Sequence, residues 1–382
     1  MKGFKNSWII TESGKEKINL IIEEGLIKSI GDASHGDLVE LPENYVVVPG
    51  FIDQHIHGAA GSDAMDGTVE DLKKIANALA SEGTTSFLAT TMTQSPENIK
   101  TALNAVKVYK ESNFTEGAEI VGVHLEGPFI SKDHIGAQPL EYVAEPKVEI
   151  FKQYEEASGN TIKLVSMAPE VEGAEDLISY LKSKNIVASI GHTGATYKDV
   201  EKAVKAGATN ATHTYNAMKA VHHREVGTVG ATFLFDELNA EVICDGIHVS
   251  APAIKLLHKN KPSDKFTLIT DAMRAKHMPD GDYELGGQPV IVKNNEARLP
   301  NGVLAGSVLK MNLAVKNVMN FLGLPLEEVV KYATINPARN LSIDHEVGSI
   351  KVGKRANLVV LDENQDVIMT IRDGIVIYKK EQ

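Results

Sequence analysis

The sequence predicts an α/β protein: a (β/α)8 barrel of the TIM type with a small β-sandwich domain formed by the N- and C-terminal segments. Three observations point there. Short apolar runs suited to buried strands alternate with helical patterns through the middle of the chain. The two ends instead read as short strands and turns. Residues able to ligate a metal stand where successive apolar runs stop, which is where such barrels place their active sites. The expected division is a small domain from residues 1–48 and 345–382 and a barrel from 49–344.

In chain order, Ser7–Thr11, Lys17–Glu23 and Leu26–Gly31 read as strands. Candidate barrel strands follow at 45–52, 84–90, 118–125, 161–167, 186–191, 208–213, 240–245 and 266–271. Eight strands at these intervals suit a barrel of about 250–300 residues. Helical patterns separate most of them, including Val69–Ala80 and Thr196–Lys205. One helix start is explicit: Ser95 offers an N-cap oxygen, Pro96 fits the first helical position and Glu97 is an early acid. At the other end, Ala356–Asp362, Asp366–Ile371 and Gly374–Tyr378 read as strands. Each terminal segment is too small to bury a core alone, so the two are expected to pair.

With 382 residues, 43% of them hydrophobic, the chain can fill a large core and a second small one. A charged fraction of 24% without low-complexity tracts marks an ordinary globular protein. The net charge of -12 argues against nucleic acid or an anionic membrane as partner. An anionic substrate would therefore need a local basic contact. Cys244, the one cysteine, cannot form an internal disulfide, which fits a reducing cytoplasm, and its strand-like surroundings read as packing. No apolar run has the length of a signal peptide core or a bilayer span, so a soluble, cytoplasmic protein is expected.

The residues closing the apolar runs are His55 and His57, Glu126, His192, His213 and Asp271. Two apart on a strand, His55 and His57 share a face and can grip one ion. Alone such a pair is weak, because histidines also sit in satisfied cores. Its weight comes from recurrence at five strand ends. Converging imidazoles and carboxylates suit a divalent metal, with Zn, Fe, Mn and Co all compatible. His124 shares the face of Glu126 one step deeper and reads as packing or support. His248, three residues past the seventh run, reads equally well as a pocket residue or a solvated loop histidine.

This order resembles the amidohydrolase superfamily, whose barrel carries His-x-His on strand 1, histidines on strands 5 and 6, and an aspartate on strand 8. Many members bridge two metals with a carboxylated lysine on strand 4, but Val165-Ser-Met-Ala-Pro-Glu170 has no lysine. Glu126 on strand 3 can take that place. Its setting, Gly122-Val-His-Leu-Glu-Gly-Pro-Phe129, is similar to that in the N-acetylglucosamine-6-phosphate deacetylases. The likeness continues through Gly191–Ala195, Thr212–Met218, His222–Glu225, Asp245–His248, Thr270–Met273 and Leu304–Ser307, over nearly the whole chain.

The resemblance implies hydrolysis of N-acetyl-D-glucosamine 6-phosphate to D-glucosamine 6-phosphate and acetate, in amino-sugar catabolism and cell-wall recycling. It implies a main metal site of Glu126, His192 and His213. His55 and His57 would complete a second, bridged by Glu126; members lacking that pair use one metal, so one or two ions per subunit are expected. Asp271 would act as general base and then acid, and His248 would bind substrate and steady the acetyl oxygen. Arg224, assisted by His223, would hold the phosphate, with Asn216, Ala217, Ala137 and Gln138 making further contacts. Leu304, Ala305 and Gly306 would close over the ligand, and a homodimer is implied, with the site near its interface.

Two positions depart from the pattern. His277 replaces a small residue and is expected to face solvent, though able to perturb the loop after strand 8. Val226 replaces a proline and is expected to loosen the phosphate loop. Other readings stay open. The missing lysine and the presence of Arg224 weigh against a cyclic amidase of the dihydroorotase type. The galactosamine epimer remains as a substrate. An inactive sugar-phosphate binder would be expected to have lost ligands that this chain retains.

Overall fold

The structure is a computed structural model that describes residues 1–31 and 37–381. At its centre eight parallel strands follow one another in sequence order: Phe51–Ile56, Thr84–Thr91, Glu119–Glu126, Ile162–Met167, Val187–Ile190, Asn210–Ala211, Asn239–Ile243 and Phe266–Ile269. The last returns to the first at the carboxyl end. There the Asp271 N–H donates to the His55 carbonyl at 2.9 Å, and the His57 N–H to that of Ala272 at 2.9 Å. The result is a nearly closed barrel.

The apolar run at 45–52, expected as one barrel strand, is two strands in different sheets. Val46–Pro49 pairs with Leu358–Leu361 and with Gly3–Thr11, whereas Phe51–Ile56 opens the barrel. Gly50 is the joint; a Cβ there would lie 2.2 Å from Thr85 Oγ1. The strands of both termini thus share one eight-stranded sheet, and Phe4, Leu20, Val47, Leu358 and Ile371 are buried in its core.

Helices form where periodicity places them because their ends are capped. Thr68 accepts from the Asp71 N–H ahead of Val69–Ala80, and Ser95 from the Asn98 N–H ahead of Pro96–Glu111. Thr196 and Asp199 form a reciprocal box ahead of Tyr197–Ala206. Leu72, Ile75 and Leu79 of the first of these pack into the main apolar core.

Toward the amino ends of the strands the barrel interior is polar. The Gln54 amide donates to Glu241 (2.7 Å), as does that of Asn210 (3.0 Å). Asn239 donates to Asn210 (2.7 Å) and Thr267 to Asn239 (2.8 Å). Asn340, from helix Ile335–Asn340, donates to Gln54 and Asn210 at 3.1 Å each. Gln54, Asn210, Asn239, Glu241 and Thr267 are buried and Asn340 is half-buried, and all are hydrogen-bonded within this network, as interiors require.

The sequence reading did not anticipate one element. After the eighth strand, Gly281–Leu285, Gln288–Lys293 and Glu296–Arg298 form a small antiparallel sheet. Gly286 and Gly287 make its first turn with φ of 58° and 82°, the left-handed pair that a tight two-residue hairpin needs. Leu285, Val290, Val292 and Ala297 pack on Met92, Met273 and Ala305, which fixes this sheet at the rim of the barrel mouth.

Candidate active site

Six side chains converge at the carboxyl end of the barrel in two buried groups able to hold a metal: His55, His57 and Asp271, and Glu126, His192 and His213. Glu126 reaches both. Its Oε1 lies 3.3 Å from His55 Nε2, 3.3 Å from His192 Nε2 and 3.2 Å from His213 Nε2; its Oε2 lies 3.3 Å from His57 Nε2. Asp271 Oδ1 lies 3.3 Å from His55 Nε2 and 3.2 Å from His57 Nε2.

The donor set fits divalent cations. His55 Nε2 is buried with no partner in hydrogen-bonding geometry, and the Nε2 atoms of His192 and His213 face each other at 3.0 Å. Two imidazole nitrogens so placed need a shared proton or a cation. Burial alone would disfavour a charged His57, but the Asp271 and Glu126 carboxylates outweigh it and raise its pKa to about 10. Burial likewise opposes charge on Glu126 and Asp271, yet the histidines hold both well below the usual carboxylate range. The cluster calls for positive charge.

Neighbouring groups fix the rings. His55 Nδ1 lies 3.2 Å from Glu241, and His192 Nδ1 lies 3.0 Å from the His134 carbonyl. The amide of Gln138 donates to Glu126 Oε2 at 2.7 Å while its carbonyl accepts the Thr93 N–H at 2.7 Å. His124 sits between Ser166 (2.7 Å) and Thr90 (3.4 Å); burial and the nearby His55 push its pKa well down, as expected of a packed, neutral ring. His192, His213 and Asp271 have φ of 49°, 28° and 48°, left-handed conformations that non-glycine residues rarely adopt.

The cluster forms the floor of a cavity of about 350 Å³. Ala137, Gln138, Asn216, Ala217, His248, Leu304 and Gly306 line it; Ala305 is buried behind the rim. His248 is not a solvated loop residue: its Nδ1 is 2.6 Å from Asp245, leaving Nε2 for the cavity. Sequence reading missed Asp245, Glu241 and the rim residue Leu285. A larger groove of about 850 Å³ lies beside Ser263, Thr334 and Lys351, where no comparable metal-ligating group converges among the described residues.

Two expected contacts are not brought into the cavity. His223 and Arg224 lie on an exposed loop, with Arg224 Nη1 2.7 Å from His223 Nε2, and no lysine or arginine lines the cavity among the described residues. Val226 has φ of -69°, the value a proline would impose, and Glu225 accepts from the Tyr197 and Gly227 N–H groups, so the loop is pinned. His277 does not simply face solvent. It sits 3.4 Å from buried Glu82, beside the Lys276–Glu82 ion pair at 2.6 Å, and its φ of 66° explains why a small residue would suit the position.

A barrel with two His/carboxylate groups joined by one glutamate defines a metal-dependent hydrolase of the amidohydrolase class. The model of the amidohydrolase family matches residues 46–377, and the chain belongs to that family. Within it, the chain groups with the N-acetylglucosamine-6-phosphate deacetylases. It is 41% identical to the enzyme of that description from Bacillus subtilis, over 99% of this chain and 97% of the relative. An N-acetylgalactosamine-6-phosphate deacetylase from Escherichia coli is 38% identical over 84% of this chain and 85% of its own length. A mutant N-acetyl-D-glucosamine-6-phosphate deacetylase from Mycobacterium smegmatis, solved with N-acetyl-D-glucosamine-6-phosphate, superposes with a TM-score of 0.93 at 29% identity, over 99% of this chain and 100% of that one.

Proposed function

We propose that the protein hydrolyses the amide of N-acetyl-D-glucosamine 6-phosphate, releasing D-glucosamine 6-phosphate and acetate. The observation that carries this reading is Glu126, which reaches both ligand groups at the floor of a cavity of sugar-phosphate size.

Glu126, His192 and His213 would hold one divalent ion; His55 and His57, with Glu126 shared, would hold a second. A bound divalent metal supplies water acidified to a pKa of about 7 and positive charge for the acetyl oxygen. Asp271 takes the proton of the attacking water and delivers it to the departing amine nitrogen. His248, held at Nδ1 by Asp245, presents Nε2 to the acetyl oxygen as negative charge develops. Leu285 and Leu304 cover the ligand from the rim.

The phosphate needs a cation, and no lysine or arginine among the described residues of one chain lines the cavity. Arg224 is exposed, and Val221 beside it leaves 54% of its surface uncovered. In this reading the protein is a homodimer in which the Arg224 loop of one copy serves the cavity of the other. Buried, unpaired Cys244 fits a cytoplasmic setting, and no helix among the described residues is long and apolar enough to cross a membrane.

The test is acetate release by zinc- or cobalt-loaded protein from N-acetylglucosamine 6-phosphate, N-acetylgalactosamine 6-phosphate and unphosphorylated N-acetylglucosamine, with dihydroorotate as a ring-opening control. Fastest release from the phosphorylated glucosamine is expected. Preference for the galactosamine epimer would move the assignment to the second substrate. Activity confined to dihydroorotate would overturn the reading.

A further inference from the structure

Glu241 is fully buried in the seventh barrel strand, below the two ligand groups, and does not itself line the cavity. Its carboxylate has four polar neighbours. Gln54 Nε2 (2.7 Å) and Asn210 Nδ2 (3.0 Å) meet Oε1; His55 Nδ1 (3.2 Å) and the backbone N–H of His213 (3.2 Å) meet Oε2. Gln54 and Asn210 are oriented as donors because their carbonyl oxygens accept from Asn340. A backbone N–H can only donate. A carboxylate satisfies four donors; a glutamine, with two donors of its own, cannot.

We infer that Glu241 is a positioning residue for the metal pair: it holds the proton of His55 on Nδ1, so that Nε2 offers a lone pair to the metal. The same oxygen ties His55, from one ligand group, to the left-handed backbone of His213, from the other, and thereby sets the spacing between the two groups. Without it His55 could carry its proton on Nε2, and a protonated Nε2 cannot ligate. The inference rests on the two-ion reading above.

The experiment is titration of metal-free protein with cobalt(II), following visible absorption and metal content after gel filtration, for the wild type, Glu241→Gln and Asn340→Ala. Asn340→Ala breaks the same network one residue further from the histidines and serves as the control. In Glu241→Gln the affinity of one equivalent should fall about 10–100-fold, the usual effect of losing a partner that orients a ligand. The other equivalent and both equivalents of Asn340→Ala should be retained. Should Glu241→Gln not fold, Glu241→Asp, which keeps the charge and withdraws the oxygens by one methylene, is read in the same titration with the same expected loss. Two unchanged equivalents in the variant, or the same loss in Asn340→Ala, would overturn the role of Glu241 alone. A wild type that takes up one equivalent would overturn the two-ion reading and the inference with it.

Discussion

The two ends of the barrel interior are both buried and both polar, yet they treat their polar atoms differently. On the barrel floor, toward the amino ends of the strands, Gln54, Asn210, Asn239, Thr267 and Asn340 meet donor with acceptor, and the protein completes the network by itself. At the carboxyl end, His55 Nε2 has no hydrogen-bonding partner and two other Nε2 atoms confront each other. Since folded chains satisfy nearly all buried polar groups, the unsatisfied layer is built around something that is not protein. Burial alone would not have told the layers apart; the pairing of donors with acceptors does.

Substitutions at the carboxyl end, and of Glu241 directly beneath it, should change chemistry, and those elsewhere on the floor stability. The largest effect is expected of Asp271→Asn. Steady-state kinetics should show kcat down by at least about 10²–10⁴-fold, with KM and metal content near those of the wild type. Retained turnover would remove Asp271 from proton transfer. Glu126→Ala should next cost the protein most of its metal, measured by elemental analysis after dialysis; full occupancy would mean that the two groups are not joined through Glu126.

Arg224→Ala sharpens the contrast between the cavity and its surroundings. Loss of charge-assisted hydrogen bonds should raise KM for the phosphorylated sugar about 10–100-fold and leave the unphosphorylated sugar nearly unaffected. Mixing this variant with Asp271→Asn should return part of the sites to the wild-type KM if Arg224 serves the neighbouring copy; a mixture that keeps the raised KM would place the contact within one chain. The smallest effect is expected on the floor. Asn340→Ala should lower unfolding free energy by about 1–3 kcal/mol in denaturant titration, with kcat unchanged. A loss of kcat there would break the division between the layers.

The carboxyl layer was legible in the sequence because ligand-type residues recur at strand ends and a strand end has a known place in a barrel. The helix starts at Ser95 and Thr196 were legible because capping is local chemistry. The floor was not. Asn239 and Glu241 share a face by period-two spacing, which was an available signal, but an isolated polar residue in a strand does not reveal whether its face points inward. The division at Gly50 was hidden because Val46–Ile52 is apolar on both sides of it, and only the approach of Thr85 requires the glycine. The rim sheet could have been found from Gly286-Gly287 between two strand-like runs. The absence of Arg224 from the cavity was beyond reach, since it depends on where an exposed loop lies.

The left-handed backbone at His192, His213 and Asp271 has an evolutionary side. Each such conformation costs a non-glycine residue about 1–3 kcal/mol. Glycine would relax all three positions and fold more comfortably, but it carries no nitrogen or oxygen to offer a cation. With the roles proposed for these residues, selection for a robust fold and selection for a working one point in opposite directions at these positions. A lineage released from the need to hydrolyse its substrate would be expected to drift there first, becoming sturdier as it fell silent.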